Sequence, residues 1–121
     1  MKQPSSSLPA LMDNASGSMR VTSWGGMACS YYELSAGTDF APVLQGLPDD
    51  ACPCPHWGYV VKGAIRVRYT DGREEVLRSG ELFYLPPGHT ALFEEDSACV
   101  EFSPQREYDE VIAHAGLKAP A

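Results

Sequence analysis

From Met19 onward the chain is written in short apolar runs broken by turn residues. The clearest is the stretch in which Ile65, Val67 and Tyr69 alternate with Arg66, Arg68 and Thr70. That period of two predicts a strand with one dry and one wet face. Asp71-Gly72 follows, a two-residue hairpin signal because both positions tolerate positive φ. The chain returns over Arg73 to Arg78 and turns at Ser79-Gly80. It runs again over Leu82 to Leu85, stops at Pro86-Pro87-Gly88, and continues over His89 to Glu94 and Ala98 to Ser103. Glu94, Glu95 and Asp96 between these last two read as a solvated turn. Trp57 to Lys62 is a strand ending at Gly63, and Arg20 to Trp24 and Ala28 to Leu34 are strands on either side of Gly25-Gly26. Phe40 to Pro55 carries four prolines without a clean period and reads as an irregular loop.

Only the end has a helical period. Tyr108, Val111, Ile112 and Ala115 fall on one face at i, i+3, i+4 and i+7. Ser103 is placed to cap this helix, with Pro104 at its first position and Gly116 at its end. Glu107, Asp109 and Glu110 near the start, and His114 and Lys118 near the end, suit the helix dipole. The organisation is thus a flexible arm over residues 1–17, a β-domain over residues 18–103, and a helix over residues 104–116 packed on its outside. Many short strands with one helix make an all-β sandwich or barrel. Eleven glycines and ten prolines argue against a long helical bundle.

A length of 121 residues is one domain. Such a chain buries about two-thirds of its unfolded surface, enough for a core without disulfides. The net charge of −7 repels phosphate backbones and anionic lipid, so neither nucleic acid nor a membrane surface is an expected partner. No run approaches the ~20 apolar residues of a membrane helix. Met1 to Asn14 has no apolar signal core, so a cytoplasmic, reducing location is expected. The four cysteines are then thiols or ligands rather than bridges, with Cys29 and Cys99 read as small buried hydrophobes.

Cys52, Cys54 and His56 alternate with Pro53 and Pro55. In extended chain, residues i and i+2 point the same way about 6.5–7 Å apart, whereas i and i+4 are about 13 Å apart. Cys54 with His56 is therefore the easier metal-binding pair in a straight strand, and Cys52 with His56 requires a kink. Both alternatives stand. The two prolines lack N–H groups on one edge, which places the segment at a sheet edge or barrel mouth and stiffens it. Trp57 and Tyr59 alternate away from His56 and face outward or into a subunit contact. His114, late in the helix, reads as a surface residue.

Two pieces of the chain resemble the cupin superfamily. Gly80-Glu81-Leu82-Phe83-Tyr84-Leu85-Pro86-Pro87-Gly88 fits the second cupin motif, a Gly, five residues, then Pro-x-Gly. His56-Trp57-Gly58-Tyr59-Val60-Val61-Lys62-Gly63 resembles the end of the first, where a metal ligand lies seven positions before a Gly. The resemblance covers Cys52 to Phe102. It implies a cupin-like jelly-roll β-barrel with one C-terminal helix, a homodimer, and often a divalent metal held by an HxH pair, a Glu and a later His. Here His56 stands where the family has its Glu, Cys52 at its second His, Asp50 at its first, and Ala91 at its late His. His89, directly after Gly88, shares a strand face with position 91 and reaches the same space one rung earlier. The expected site is His56 and His89 with Cys54 or Cys52. Val60 shares the parity of His56 and Phe93 that of His89, so both are expected to line the pocket.

Two imidazoles and one or two thiolates suit a divalent transition metal, zinc first, with iron, copper or nickel as further candidates. The leading expectation is a metal-dependent enzyme acting on a small molecule. The alternatives are a small-ligand binding or sensor module without catalysis, and a barrel with a structural metal.

Overall fold

The computed structural model describes residues 1–117. In chain order the elements are β1 (Ala10–Asn14), β2 (Gly17–Trp24), β3 (Met27–Leu34), a one-turn helix α1 (Ala41–Leu44), β4 (His56–Lys62), β5 (Ala64–Tyr69), β6 (Glu74–Arg78), β7 (Leu82–Leu85), β8 (His89–Phe93), β9 (Ser97–Pro104) and helix α2 (Gln105–His114). The strands form two antiparallel sheets, ordered β1-β2-β3-β9-β4-β7 and β6-β5-β8. This is the expected all-β architecture, a jelly-roll pair of sheets with a helix following the last described strand.

Alternation explains how the sheets meet. Met19, Tyr32, Leu34, Val60, Leu85 and Cys99 from the larger sheet pack against Ile65, Val67, Tyr69, Leu77 and Phe93 from the smaller one. Every one of these shares the inward parity of its strand, so the core is the dry face of each sheet. A second apolar cluster lies beside it. There Tyr108 and Ile112 of α2 meet Leu44 of α1, Val21, Ala28, Cys52 and Cys54. The Tyr32 and Tyr108 hydroxyls are hydrogen-bonded at 2.7 Å and tie the sheet to the helix.

Three local readings differ from the sequence expectation. Within the arm expected over residues 1–17, residues 10–14 form β1, which pairs with β2 and among the described residues is an edge strand. The loop expected over Phe40 to Pro55 contains α1 and a short 3₁₀ turn at Pro48–Asp50. Ser103 does not cap α2. Pro104 keeps an extended ψ of 130° and still pairs with Met27, so β9 runs directly into the helix at Gln105. The Gln105 N–H is satisfied by the carbonyl of Gly26 instead. Lys118 lies outside the described residues. No described helix is long and apolar enough to cross a membrane.

Glycine is required at two places near the site. Gly63, with φ of +92°, turns β4 into β5 against the backbone of Asp96 and the side chain of Ser97. Gly58, on the inward face of β4, lies so close to the Phe83 ring and the Val100 carbonyl that an added Cβ would overlap both.

Candidate metal centre

The segment from Cys52 to His56 is anchored at one end and bent in the middle. The Cys52 N–H donates to the His89 carbonyl at 2.8 Å, and the Gly88 N–H donates to the Cys52 carbonyl at 2.7 Å. Cys52 and His89 are thus direct neighbours across an isolated bridge. The chain then bends at Cys54 before β4 begins at His56. The bend shortens the i to i+4 separation that a straight strand would impose. As a result Cys52 Sγ lies 3.7 Å from His56 Nε2. The ligand atoms of Cys52, His56 and His89 all lie within 4.8 Å of one another.

Each imidazole is held by its other nitrogen. His89 Nδ1 is 2.8 Å from the Pro86 carbonyl oxygen, which can only accept, so Nδ1 carries the hydrogen and Nε2 the lone pair. His56 Nδ1 is 2.6 Å from Ser103 Oγ. The rings meet edge to face with centroids 5.0 Å apart. Burial lowers the His56 pKa to about 4. Burial, then the neighbouring His56, lowers that of His89 to about 4 as well. Both rings are therefore neutral at pH 7, the form that binds metal.

Of the two thiols beside them, Cys52 is the one the bend turns toward His56. Cys54, equally buried, lines the same cavity, but its Sγ lies 3.4 Å from the Pro55 carbonyl. Burial pushes the Cys52 thiol up to about 11 and that of Cys54 up to about 12.

The sequence reading missed Glu101. It sits on β9 at the parity of Cys99 and Ser103, both buried, and it faces the cavity. That parity was the available signal, because a Glu in phase with inward residues has to enter the interior. Glu101 Oε2 is 3.9 Å from His56 Nδ1, too long for a hydrogen bond, and the carboxylate has no hydrogen-bond partner among the described residues. Burial raises its pKa to about 7, opposed by the nearby His89. Ser103 was assigned to the helix cap by its sequence position, whereas its hydroxyl meets His56.

A cavity of about 290 Å³ opens onto these groups. Phe93 lines it, as does Ala91. Val60 is fully buried in the core between the sheets, opposite Cys99, and is not among the lining residues. Asp50 is away from the centre, exposed, with its Oδ1 accepting from the Gly46 N–H. His114 is exposed and its Nε2 contacts the Gln45 carbonyl at 2.7 Å. Trp57 and Tyr59 face outward, and Trp57 stacks on Tyr84 with centroids 5.2 Å apart.

No protein-family model matches the sequence, and no curated protein matches it. Solved structures do match the fold. An RmlC-like cupin from Shewanella frigidimarina superposes with a TM-score of 0.62 at 18% identity, over 88% of this chain and 92% of that one. The polyketide cyclase RemF from Streptomyces resistomycificus gives 0.61 at 17% identity, over 87% and 80%. KdgF from Halomonas sp. gives 0.59 at 23% identity, over 83% and 91%. The fold of this chain is the cupin fold.

Proposed function

We propose that this chain of cupin fold is a metal-dependent enzyme acting on a small molecule, with Cys52, His56 and His89 holding one divalent transition ion. Zinc is the first choice, with iron, copper or nickel as further candidates. The observation that carries the reading is the way the imidazoles are held. Nδ1 of each is engaged by a fixed partner, which leaves Nε2 of each ring, with the Cys52 sulfur, as the available donors. Ligands at the bond lengths of a tetrahedral zinc site lie about 3.3–3.8 Å apart. The Cys52–His56 pair at 3.7 Å fits without movement, and the remaining pairs need to close by no more than about an ångström.

Three protein donors leave a fourth position for water or substrate, where a bound ion supplies Lewis acidity. The rest of the chemistry falls to the chain itself. Ser103 and the Pro86 carbonyl fix the ring orientations. Glu101, unpartnered and facing the cavity, is placed to take a proton from a bound molecule or return one. A structural Cys₂His₂ site is less well supported, because the clustered ligand atoms among the described residues are those of Cys52, His56 and His89, without the Cys54 sulfur. The reading includes a reducing, cytoplasmic location, where the four cysteines serve as thiols or ligands.

Metal analysis of untagged protein purified without added metal tests the reading. About one transition ion per chain is expected, and His56→Ala should abolish it with little loss of fold stability. A loss of several kcal/mol on the same substitution would mean a structural metal, since binding energy is then folding energy. Less than about a tenth of an ion per chain, with unchanged melting of His56→Ala, would leave the metal-free binding module as the reading.

The reading extends to a homodimer through the outward face of β9, β4 and β7. There Phe102, Trp57, Tyr59, Leu82 and Tyr84 are exposed side by side, each opposite a neighbour in register. A second copy is the proposed occupant, because this stripe carries no charge. It is therefore where two chains of net charge −7 repel least.

A further inference from the structure

We infer that the cavity takes an uncharged molecule of one or two rings that presents a single hydroxyl or carbonyl oxygen to the end where Cys52, His56, His89 and Glu101 meet. This deepens the proposed function. The placing of the oxygen rests on that reading, while the preference for rings and against charge rests on the walls alone.

The walls come from every layer of the fold. Met19, Phe40, Phe83, Leu85, Phe93 and Ile112 contribute apolar surface from both sheets, the α1 approach and α2. An apolar cavity of about 150 Å³ holds benzene, so about 290 Å³ has room for one or two rings.

Charge narrows the class further. The charged side chains that line the cavity are Asp39 and Glu101, both acidic, and among the described residues no Lys or Arg lines it. A carboxylate or phosphate brought here would be desolvated without a cationic side chain to pair with and would face Asp39 and a part-ionised Glu101. A divalent ion held by the Cys52 thiolate beside an ionised Glu101 brings that end to about neutral and leaves Asp39 acidic, so the lining still supplies no net positive charge. A polyhydroxylated sugar is disfavoured for a different reason. The Tyr32 and Tyr108 hydroxyls are bonded to each other, Ser103 is bonded to His56, and the Asp39 carboxylate accepts from the Ala41 N–H. The hydroxyls of Thr38 and of the exposed Ser16 are the lining side-chain hydroxyls left to pair with a polyol, and each further unpaired hydroxyl is costly inside. The unpaired group beside the three candidate ligands is the Glu101 carboxylate. A single oxygen on the ligand satisfies that end.

Calorimetric titration at pH 7 with 2-naphthol and 2-naphthoate isolates the charge, because the ring system is the same, the phenol is neutral and the carboxylate is ionised. Both are titrated into zinc-loaded and EDTA-treated protein. One-to-one binding of 2-naphthol at least about tenfold tighter than 2-naphthoate is expected in both forms. Met12→Lys places a cation in the wall with a stem that fills the methionine volume, and should reverse the preference. Should that variant fail to fold, the ratio in the native protein still decides. Equal or tighter 2-naphthoate binding, or no saturable 2-naphthol binding, overturns the inference. Naphthol selectivity in a protein that takes up no zinc overturns the metal reading and leaves this one standing. One zinc per chain without the selectivity does the reverse.

Discussion

Glu101 and the two histidines put opposite demands on pH. The Glu101 carboxyl moves from 4.5 to about 7 on folding, so the folded chain holds a proton that the unfolded chain releases. Its contribution is complete below about pH 4.5 and is lost as pH rises through 7. His56 and His89 move from 6.5 to about 4, so their contribution is complete above about pH 6.5 and is lost as pH falls through 4. Glu101→Gln removes the first demand only. In metal-free protein, urea unfolding should show the variant gaining on the native chain as pH rises from 4 to 8, by on the order of 3 kcal/mol. A difference independent of pH would mean that Glu101 is not buried as an acid. Cys52 gives a second pH dependence. Burial holds its thiol near 11, so a metal that binds the thiolate displaces a proton. Zinc affinity should rise about tenfold per pH unit between about pH 6 and 9, and Cys52→Ser should flatten that slope while Cys54→Ser leaves it. Ser103→Ala, which removes only the partner of His56 Nδ1, should weaken zinc binding by about tenfold or more without unfolding the chain.

Elements were legible where a period or a turn marked them. Ile65, Val67 and Tyr69 alternate because β5 is the middle strand of its sheet with one face on the core, and Asp71-Gly72 marks its hairpin. β1 was not legible. Ala10 to Asn14 has no alternation of its own and is defined by its pairing with β2, which lies in tertiary structure. The candidate site divides in the same way. His56 and His89 were reached from motif positions, but that the Cys52 sulfur rather than that of Cys54 lies against His56 depends on a bend that spacing cannot report. Glu101 was hidden because its strand was read for its ends rather than its phase. Pro104 misled for a local reason. A proline suits the first turn of a helix, but it also suits the last rung of a strand whose N–H is not needed. At this scale Gly58 is the sharpest test. Its missing side chain lets the Phe83 ring lie across β4 beside the cavity. Gly58→Ala fits a strand backbone yet forces both that ring and the Val100 carbonyl of β9 away, and should cost at least about 1–3 kcal/mol in urea unfolding and weaken 2-naphthol binding.

For the whole molecule, the uncharged stripe on β9, β4 and β7 is the feature the core does not explain. Trp57 and Tyr59 are nearly half exposed, at 45% and 42%, and Leu82 is exposed at 83%. Light scattering at tens of micromolar should report a dimer. Tyr59→Glu, in the centre of the stripe, should shift it to monomer, since a buried like-charge pair across a two-fold contact costs several kcal/mol. A native monomer at that concentration would remove the dimer from the proposed function. Melting of the variant should stay within a degree or two of the native value at a dilution where both are monomeric, because the side chain faces away from the core.

The place of β9 has a consequence for how the protein is made. It lies between β3 and β4, with Met27 opposite Pro104 and Leu34 opposite Ser97, so the large sheet is joined through contacts more than sixty residues apart in sequence. A chain leaving the ribosome from its N-terminus can form the β2–β3 hairpin early, but that hairpin keeps a bare edge until residues 97–104 emerge. Pairings this distant form slowly, and an open strand edge is a template for other chains. Glu101 and Ser103 ride on the same strand, so the pocket is completed by the step that closes the edge. An ion captured before that step would meet Cys52, His56 and His89 on a chain whose His56 ring has no Ser103 to orient it. Metal present during synthesis therefore acts on a different molecule from metal added afterwards, and refolding yields with and without zinc in the refolding buffer should differ even when the final metal content is the same.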